Sequence, residues 1–199
     1  MFSVCVCEET FPIPYHFLRL DKHGSFTAPD GVLVDTIAHT YNDKVLPNVG
    51  LLVELFDIVK ACECKSLPDA KCAYLKVFFR YVVFNPPIGS VWEGQIMSEN
   101  DEGIGLRLSF FGDIWVPWPN LPANSEFKSS EETWVWYYQD DDEEYPPYYF
   151  DVGDDVRFRI CEVRFSKPGD KAPPMQVIAS MGTPGLGPKR WWSNKESGL

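Results

Sequence analysis

Six cysteines carry the most obvious chemistry in this chain of 199 residues. Cys5 and Cys7 form one C-x-C pair, Cys62 and Cys64 a second, and Cys72 follows nearby. Thiolates so placed could hold a metal ion, but structural zinc sites favour C-x(2–4)-C spacing. A C-x-C in a strand instead sends both side chains to one face, where small apolar thiols fill a core. Packing is therefore the favoured reading, and no metal or other cofactor is expected. His16, His23 and His39 stand outside every zinc-protease or other catalytic pattern. There is no phosphate loop, and Gly103-Ile-Gly105 lacks the third glycine of a dinucleotide site and falls in a β hairpin. Acidic pairs are plentiful, yet they fall in loops rather than in a converging cleft. No catalytic residue is assigned, which leaves a protein that acts through its surfaces.

Charge limits what those surfaces can grip. The formal net charge is −11 and is unevenly spread. Residues 1–84 hold eight Lys and Arg against ten Asp and Glu, and residues 85–199 hold ten against nineteen. A protein that bound phosphates unaided would be basic, so any nucleic-acid contact is local, weak or shared with a more basic partner. Hydrophobic residues make up 45% and aromatics 15%, enough for a packed core without disulfides or metal. No stretch approaches the roughly 18 consecutive apolar residues of a membrane span. Met1 to Glu9 has no basic segment ahead of its apolar run, unlike a secretory signal, so a soluble intracellular protein with reduced thiols is expected.

The elements that must position these surfaces divide at Asn85-Pro86-Pro87. Before it, Phe2 to Cys7 reads as a short strand that Thr10-Phe-Pro-Ile-Pro14 breaks. Asp30 caps a predicted helix running to about Val45, with an apolar stripe of Val34, Ile37, Ala38, Tyr41 and Val45. Two long strands follow, Val49 to Val59 and Ala73 to Phe84. In the second, Leu75, Val77, Phe79, Tyr81 and Val83 take one face and Lys76, Phe78 and Arg80 the other. That mixed face could touch RNA, but packing against a helix or partner is favoured. Beyond the boundary, short strands with frequent turns predict a barrel or sandwich. They are Ile88 to Met97; Ile104, Leu106, Leu108 and Phe110, alternating inward; Gly112 to Pro117; Trp134, Trp136 and Tyr138; Val156, Phe158 and Ile160, with Arg157 and Arg159 outward; and Met175 to Met181. The run Asp140 to Glu144 reads as a solvated acidic loop within 139–149. Trp191 and Trp192 in the aperiodic tail are costly to expose and must dock, on the barrel or on a partner.

Several of these segments resemble, in the same order, the larger stalk subunit of RNA polymerases, a family with archaeal and nuclear members. The matching pieces are Met1-Phe-Ser-Val, Asn48-Val-Gly-Leu-Leu with Phe56-Asp-Ile58, Phe78 to Pro86, Gly89 to Ile96 and Leu108 to Pro117. Three more are similar to the RNA polymerase III member: Trp134-Val-Trp-Tyr-Tyr with its acidic insert, Gly153 to Arg159, and Pro184-Gly-Leu-Gly with Trp191-Trp192. The resemblance implies an α+β N-terminal tip domain (residues 1–84, strands packed on a helix) followed by an all-β OB barrel of the S1 type (residues 85–199). It further implies a nuclear, non-catalytic subunit that supports initiation and contacts emerging RNA. The tip inserts toward the polymerase core, and a small helical subunit binds along the junction. Leu67, Pro68 and Asp69 match the tip turn that approaches the core, although Ala70-Lys71 stands where the family has glycine and His23 to Gly31 is longer than usual. Single-stranded RNA is the candidate ligand of Arg107, Trp115, Arg157 and Arg159, since such barrels stack bases on aromatics beside arginines. The bland alternative is a solubilising role for the arginines and a core role for Trp115. Phe78, Arg80, Trp191 and Trp192 are the candidate partner contacts.

Two other readings compete. A free-standing S1-type protein of RNA processing or translation would bind RNA tightly and salt-sensitively by itself. A cysteine-dependent metal or redox protein would carry stoichiometric metal.

Overall fold

Strict alternation from Cys72 to Phe84 buries every second side chain: Leu75, Val77, Phe79, Tyr81 and Val83 are all solvent-inaccessible. This strand is the centre of the N-terminal unit. The computed structural model describes residues 2–20, 26–66, 71–140, 143–144, 146–167 and 169–192. They fall into two compact units, Met1–Asn85 and Pro86–Leu199.

In the first unit β1 (Phe2–Pro14), α1 (Asp30–Tyr41), β2 (Val45–Leu46), β3 (Gly50–Ala61) and β4 (Cys72–Phe84) form an antiparallel sheet in the order β1-β4-β3-β2, with a helix. Leu33 and Ile37 of α1 join Phe11, Ile13, Leu52 and the inward row of β4 in one buried cluster. β1 is longer than the sequence suggests. Its prolines, Pro12 and Pro14, pair opposite Tyr74 and Cys72 on an edge strand, where a missing donor on the open side costs no ladder bond. The helix stops at Tyr41, short of Val45, which enters β2. The buried stripe runs through Leu33 and Ile37, and Val34 lies exposed.

The second unit closes a barrel from β5 (Val91–Asn100), β6 (Gly103–Arg107), β7 (Ile114–Pro117), β11 (Asp155–Phe165) and β12 (Met175–Ser180). β5 pairs antiparallel with β6 and β6 with β7, while β7 runs parallel to β12. β12 then pairs with β11 and β11 returns to β5, both antiparallel, which completes an OB-type barrel. Ile96, Ile104, Leu106, Val116, Phe158 and Val177 fill its interior. Phe110, expected to point inward, is exposed. β6 ends at Arg107, and the turn closed by the Leu108 amide on the Phe111 carbonyl puts Phe111 inside instead.

The strand of Trp134 and Trp136 is not part of the barrel. It is β9 (Thr133–Trp136), the middle of a three-stranded antiparallel sheet with β8 (Ser125–Lys128) and β10 (Tyr148–Tyr149), inserted between β7 and β11. In the acidic segment Gln139–Asp140 pairs with Glu143–Glu144 in a short ladder. The tail returns through β13 (Gly187–Pro188), which pairs with the start of β11. Gly187 has φ +91°, and a Cβ there would lie 2.9 Å from the Trp191 ring, so both backbone and packing require glycine.

Candidate nucleic-acid and partner interfaces

Val91, Glu93 and Gln95 of β5, Arg107 of β6, and Asp155, Arg157 and Arg159 of β11, all clear of the bulges in these strands, point away from the barrel interior, and register sets them in rows. Arg157 stands opposite Glu93 and Arg159 opposite Val91. Gln95 lies between Asp155 on one side and Arg107 on the other. The Arg107 guanidinium donates to Gln95 Oε1 at 2.8 Å, and Arg157 Nε donates to Glu93 Oε1 at 2.9 Å. Lys189 reaches in from the tail to Glu93 Oε2 at 2.8 Å. These two cations, Lys189 first, hold the Glu93 carboxyl below the usual carboxylate range. Arg159 is exposed, and among the described residues its guanidinium has no ion-pair partner. A shallow cleft of about 610 Å³ runs over this face, lined among others by Trp92, Gln95, Arg107, Phe110 and Lys189.

Trp115 extends the same face onto β7. It pairs with Gly105, and its half-buried ring lies against Gly103 and Gly105, where Cβ atoms would come within 3.1 and 3.7 Å of it. The indole thus fills space that the glycines leave open, as a partly exposed platform. All four RNA candidates therefore lie on the outside of the barrel, Arg157 and Arg159 on β11, Arg107 on β6 and Trp115 on β7. Sequence reasoning missed Glu93, Gln95 and Lys189; the alternation of β5 was the available signal for the first two.

The N-terminal unit offers a different surface. On the side of β4 away from α1, Phe78 and Arg80 are half-buried, and Phe2, Val4 and Val6 of β1 extend the face with exposed apolar side chains. Arg80 forms a bidentate pair with Asp57, Nε to Oδ1 at 2.7 Å and Nη2 to Oδ2 at 2.5 Å. Its guanidinium also stacks 4.9 Å from the centroid of Phe56, a ring that is 56% exposed. The pair keeps the Asp57 carboxyl low and raises Arg80. The result is a sheet face on which apolar side chains flank the bidentate Arg80–Asp57 pair, with a second ion pair, Lys76–Glu8, further along it.

Cys5 and Cys7 lie on the core side of β1, with Sγ atoms 3.6 Å apart. Burial, aided by the neighbouring Cys5 thiol, pushes Cys7 up to about 11, so it stays a thiol at neutral pH. Leu67, Pro68 and Asp69 lie outside the described residues. Trp191 and Trp192 dock within their own unit: Trp191 sits 4.7 Å from Phe150 and 5.2 Å from Trp136 between ring centroids, and Trp192 sits 6.5 Å from Trp136.

A family model described as RNA polymerase III subunit Rpc25 matches residues 90–172. The chain is similar to DNA-directed RNA polymerase III subunit RPC8 of Bos taurus, 32% identical over 169 residues, which cover 76% of this chain and 82% of that protein. The corresponding protein of Schizosaccharomyces pombe is 31% identical over 177 residues, covering 80% and 87%, and that of Saccharomyces cerevisiae 28% identical over 193 residues, covering 80% and 89%.

Proposed function

This chain belongs to the RPC8 family of RNA polymerase III subunits, and from that premise we propose that it is the larger, non-catalytic subunit of the polymerase stalk, acting in the nucleus. Its N-terminal unit is the tip that meets the polymerase core, with Leu67, Pro68 and Asp69 at the contact. The apolar face around Phe78 and Arg80 receives a small helical subunit. Exposed Phe2, Val4, Val6 and Phe56 support that role, since an apolar face of this extent calls for a permanent cover. The barrel guides the emerging transcript and supports initiation.

The observation that carries the RNA reading is the outer barrel face. Arg107, Arg157, Arg159 and Lys189 lie there beside the outward carboxylates Glu93, Asp155 and Glu162, the last paired to Arg164, within a segment that is otherwise strongly acidic. Trp115 adds a stacking platform on the adjacent strand. The test is purification of the tagged chain from its own cells, with ultraviolet crosslinking and mass spectrometry. The expected result is RNA polymerase III core subunits, one small helical partner, and RNA crosslinks on β5, β6, β7 and β11. Recovery of ribosomal or RNA-processing factors without polymerase would overturn the assignment.

A further inference from the structure

The densest aromatic cluster of the C-terminal unit lies away from the strand rows that bear the arginines. Trp136, Tyr138, Tyr148, Trp191 and Trp192 line a half-open pocket of about 470 Å³, with the Thr183-Pro184 turn on its rim. The rings meet at varied angles: Trp136 is 5.3 Å from Tyr138 at 68°, 5.6 Å from Tyr148 at 37°, and 5.2 Å from Trp191 at 32°. Two of the pocket's three indole N–H groups are spent internally, Trp136 on the Ala123 carbonyl at 3.0 Å and Trp192 on the Leu186 carbonyl at 3.0 Å. Those bonds fix the two rings and leave their π faces, beside the hydroxyls of Tyr138 and Tyr148, as what this wall offers.

Charge decides what such a pocket admits. None of the described residues that line it is charged. The cations next to it in sequence are already paired, Lys189 to Glu93 at 2.8 Å and Arg190 to Asp151 at 2.5 Å and Asp154 at 2.9 Å. A nucleotide brings a phosphate, which would find no cation among these lining residues. Residues 85–199 carry nineteen acidic against ten basic residues, and the strand that supplies Trp136 leads through Tyr138 directly into Asp140 to Glu144. An excess of acidic residues in the unit and a wall rich in ring faces form a combination that attracts cations.

We propose that this aromatic pocket receives the cationic side chain of a lysine, methylated or not, from a basic segment of a partner protein. The inference does not depend on the polymerase assignment. The test uses the full chain and two probes of nearly equal shape: a blocked trimethyllysine peptide, and the same peptide with the neutral carbon isostere in which the quaternary nitrogen is replaced. The indole N–H resonances of Trp136 and Trp192 report binding. The cationic probe is expected to shift both, at least tenfold more tightly than the isostere, and Tyr138→Ala is expected to weaken it several-fold. Tyr138 is 38% exposed, so this variant keeps the fold even if a tryptophan variant does not. Equal binding of the neutral isostere would make the pocket merely apolar. Displacement of those resonances by oligouridylate would make it a base-stacking site, and no shift at millimolar probe would leave it structural; each outcome overturns the proposal.

Discussion

Glu99 is the residue at which a single atom exchange gives the sharpest test of how the inserted sheet is held. It sits on β5, and its Oε2 accepts from the Trp134 amide at 2.8 Å and the Thr133 hydroxyl at 3.2 Å, so it pins β9 to the barrel. The Trp134 indole adds a bond to the Asn100 carbonyl at 2.7 Å. Burial pushes the Glu99 carboxyl up from 4.5 to about 7; the two hydrogen bonds oppose this, and the charges of Asp151 and Asp154 add to it. The folded-state value lies above the unfolded one, so the native state holds the extra proton. Its stabilisation is full below about pH 4.5 and is lost as pH rises through 7. The full displacement corresponds to about 3 kcal/mol between protonation states. About 2 kcal/mol of that falls between pH 5.5 and 8.5, and solvent screening of a partly exposed group reduces it to about 1 kcal/mol. Glu99→Gln keeps an acceptor for both donors and removes the charge. Urea unfolding followed by tryptophan fluorescence from pH 5.5 to 8.5, clear of the pI near 4.7, should show the parent losing about 1 kcal/mol more than the variant. Asp113, raised by burial, contributes equally to both proteins and cancels, whereas Asp154 loses the repulsion of Glu99 in the variant, which adds to the same difference. Parallel pH profiles, or a variant less stable at pH 8.5, would refute the reasoning, because the hydrogen bonds would then hold the charged form without penalty.

Other outcomes follow from the same geometry. Removing the arginines singly should weaken RNA binding unequally: Arg159→Ala most, Arg107→Ala less, and Arg157→Ala least because Glu93 already competes for it. Each phosphate anchor removed should reduce the salt slope by about 1, read by fluorescence anisotropy against salt concentration. Arg80→Glu places a second negative charge beside Asp57 on the open sheet face, and pull-down should lose the helical partner while the far-ultraviolet circular dichroism of the chain is unchanged. Gly187→Ala forces a side chain into φ +91° and into the Trp191 ring; it should cost about 1–3 kcal/mol and shift tryptophan emission to the red as the tail lifts.

Local alternation made much of the fold legible. The inward row of β4 and the rows Val156, Phe158, Ile160 and Ile104, Leu106 follow from period two, because each strand buries only one face. The errors arose where an element's neighbours, rather than its own sequence, decide its fate. Pro12 and Pro14 read as breakers because edge position cannot be seen along the chain. Trp134 and Trp136 read correctly as a strand, but nothing in their spacing says which sheet they join. Phe110 and Phe111 exchanged roles because a turn reset the parity after Arg107. Glu99 gives no sign of its role along the chain, since its burial exists only once β9 lies across β5. The tail tryptophans had to dock on grounds of cost alone, and their target needed the aromatic wall that the insert builds.

The uneven charge of the C-terminal unit now has a structural sense. Acids there are not spread at random: Glu93 is shared by Arg157 and Lys189, while Asp151 and Asp154 are joined by Arg190. What remains unpaired on the outer barrel strands is biased toward cations, and what lies beyond Tyr138 is an uninterrupted acidic run. A barrel so arranged attracts a phosphate backbone at a few points and repels it elsewhere. Few anchoring points mean a shallow salt dependence and weak affinity for the isolated chain, of the order of the 10⁻⁴–10⁻⁶ M typical of non-specific binding. In the proposed stalk role, such a surface would suit a transcript delivered at high local concentration by a larger assembly, with weak contacts steering the strand. Tight capture by the free chain would require the acidic segment to be neutralised first. Adding a basic peptide that covers the segment should therefore strengthen RNA binding, whereas a peptide competing for the outer barrel face should weaken it.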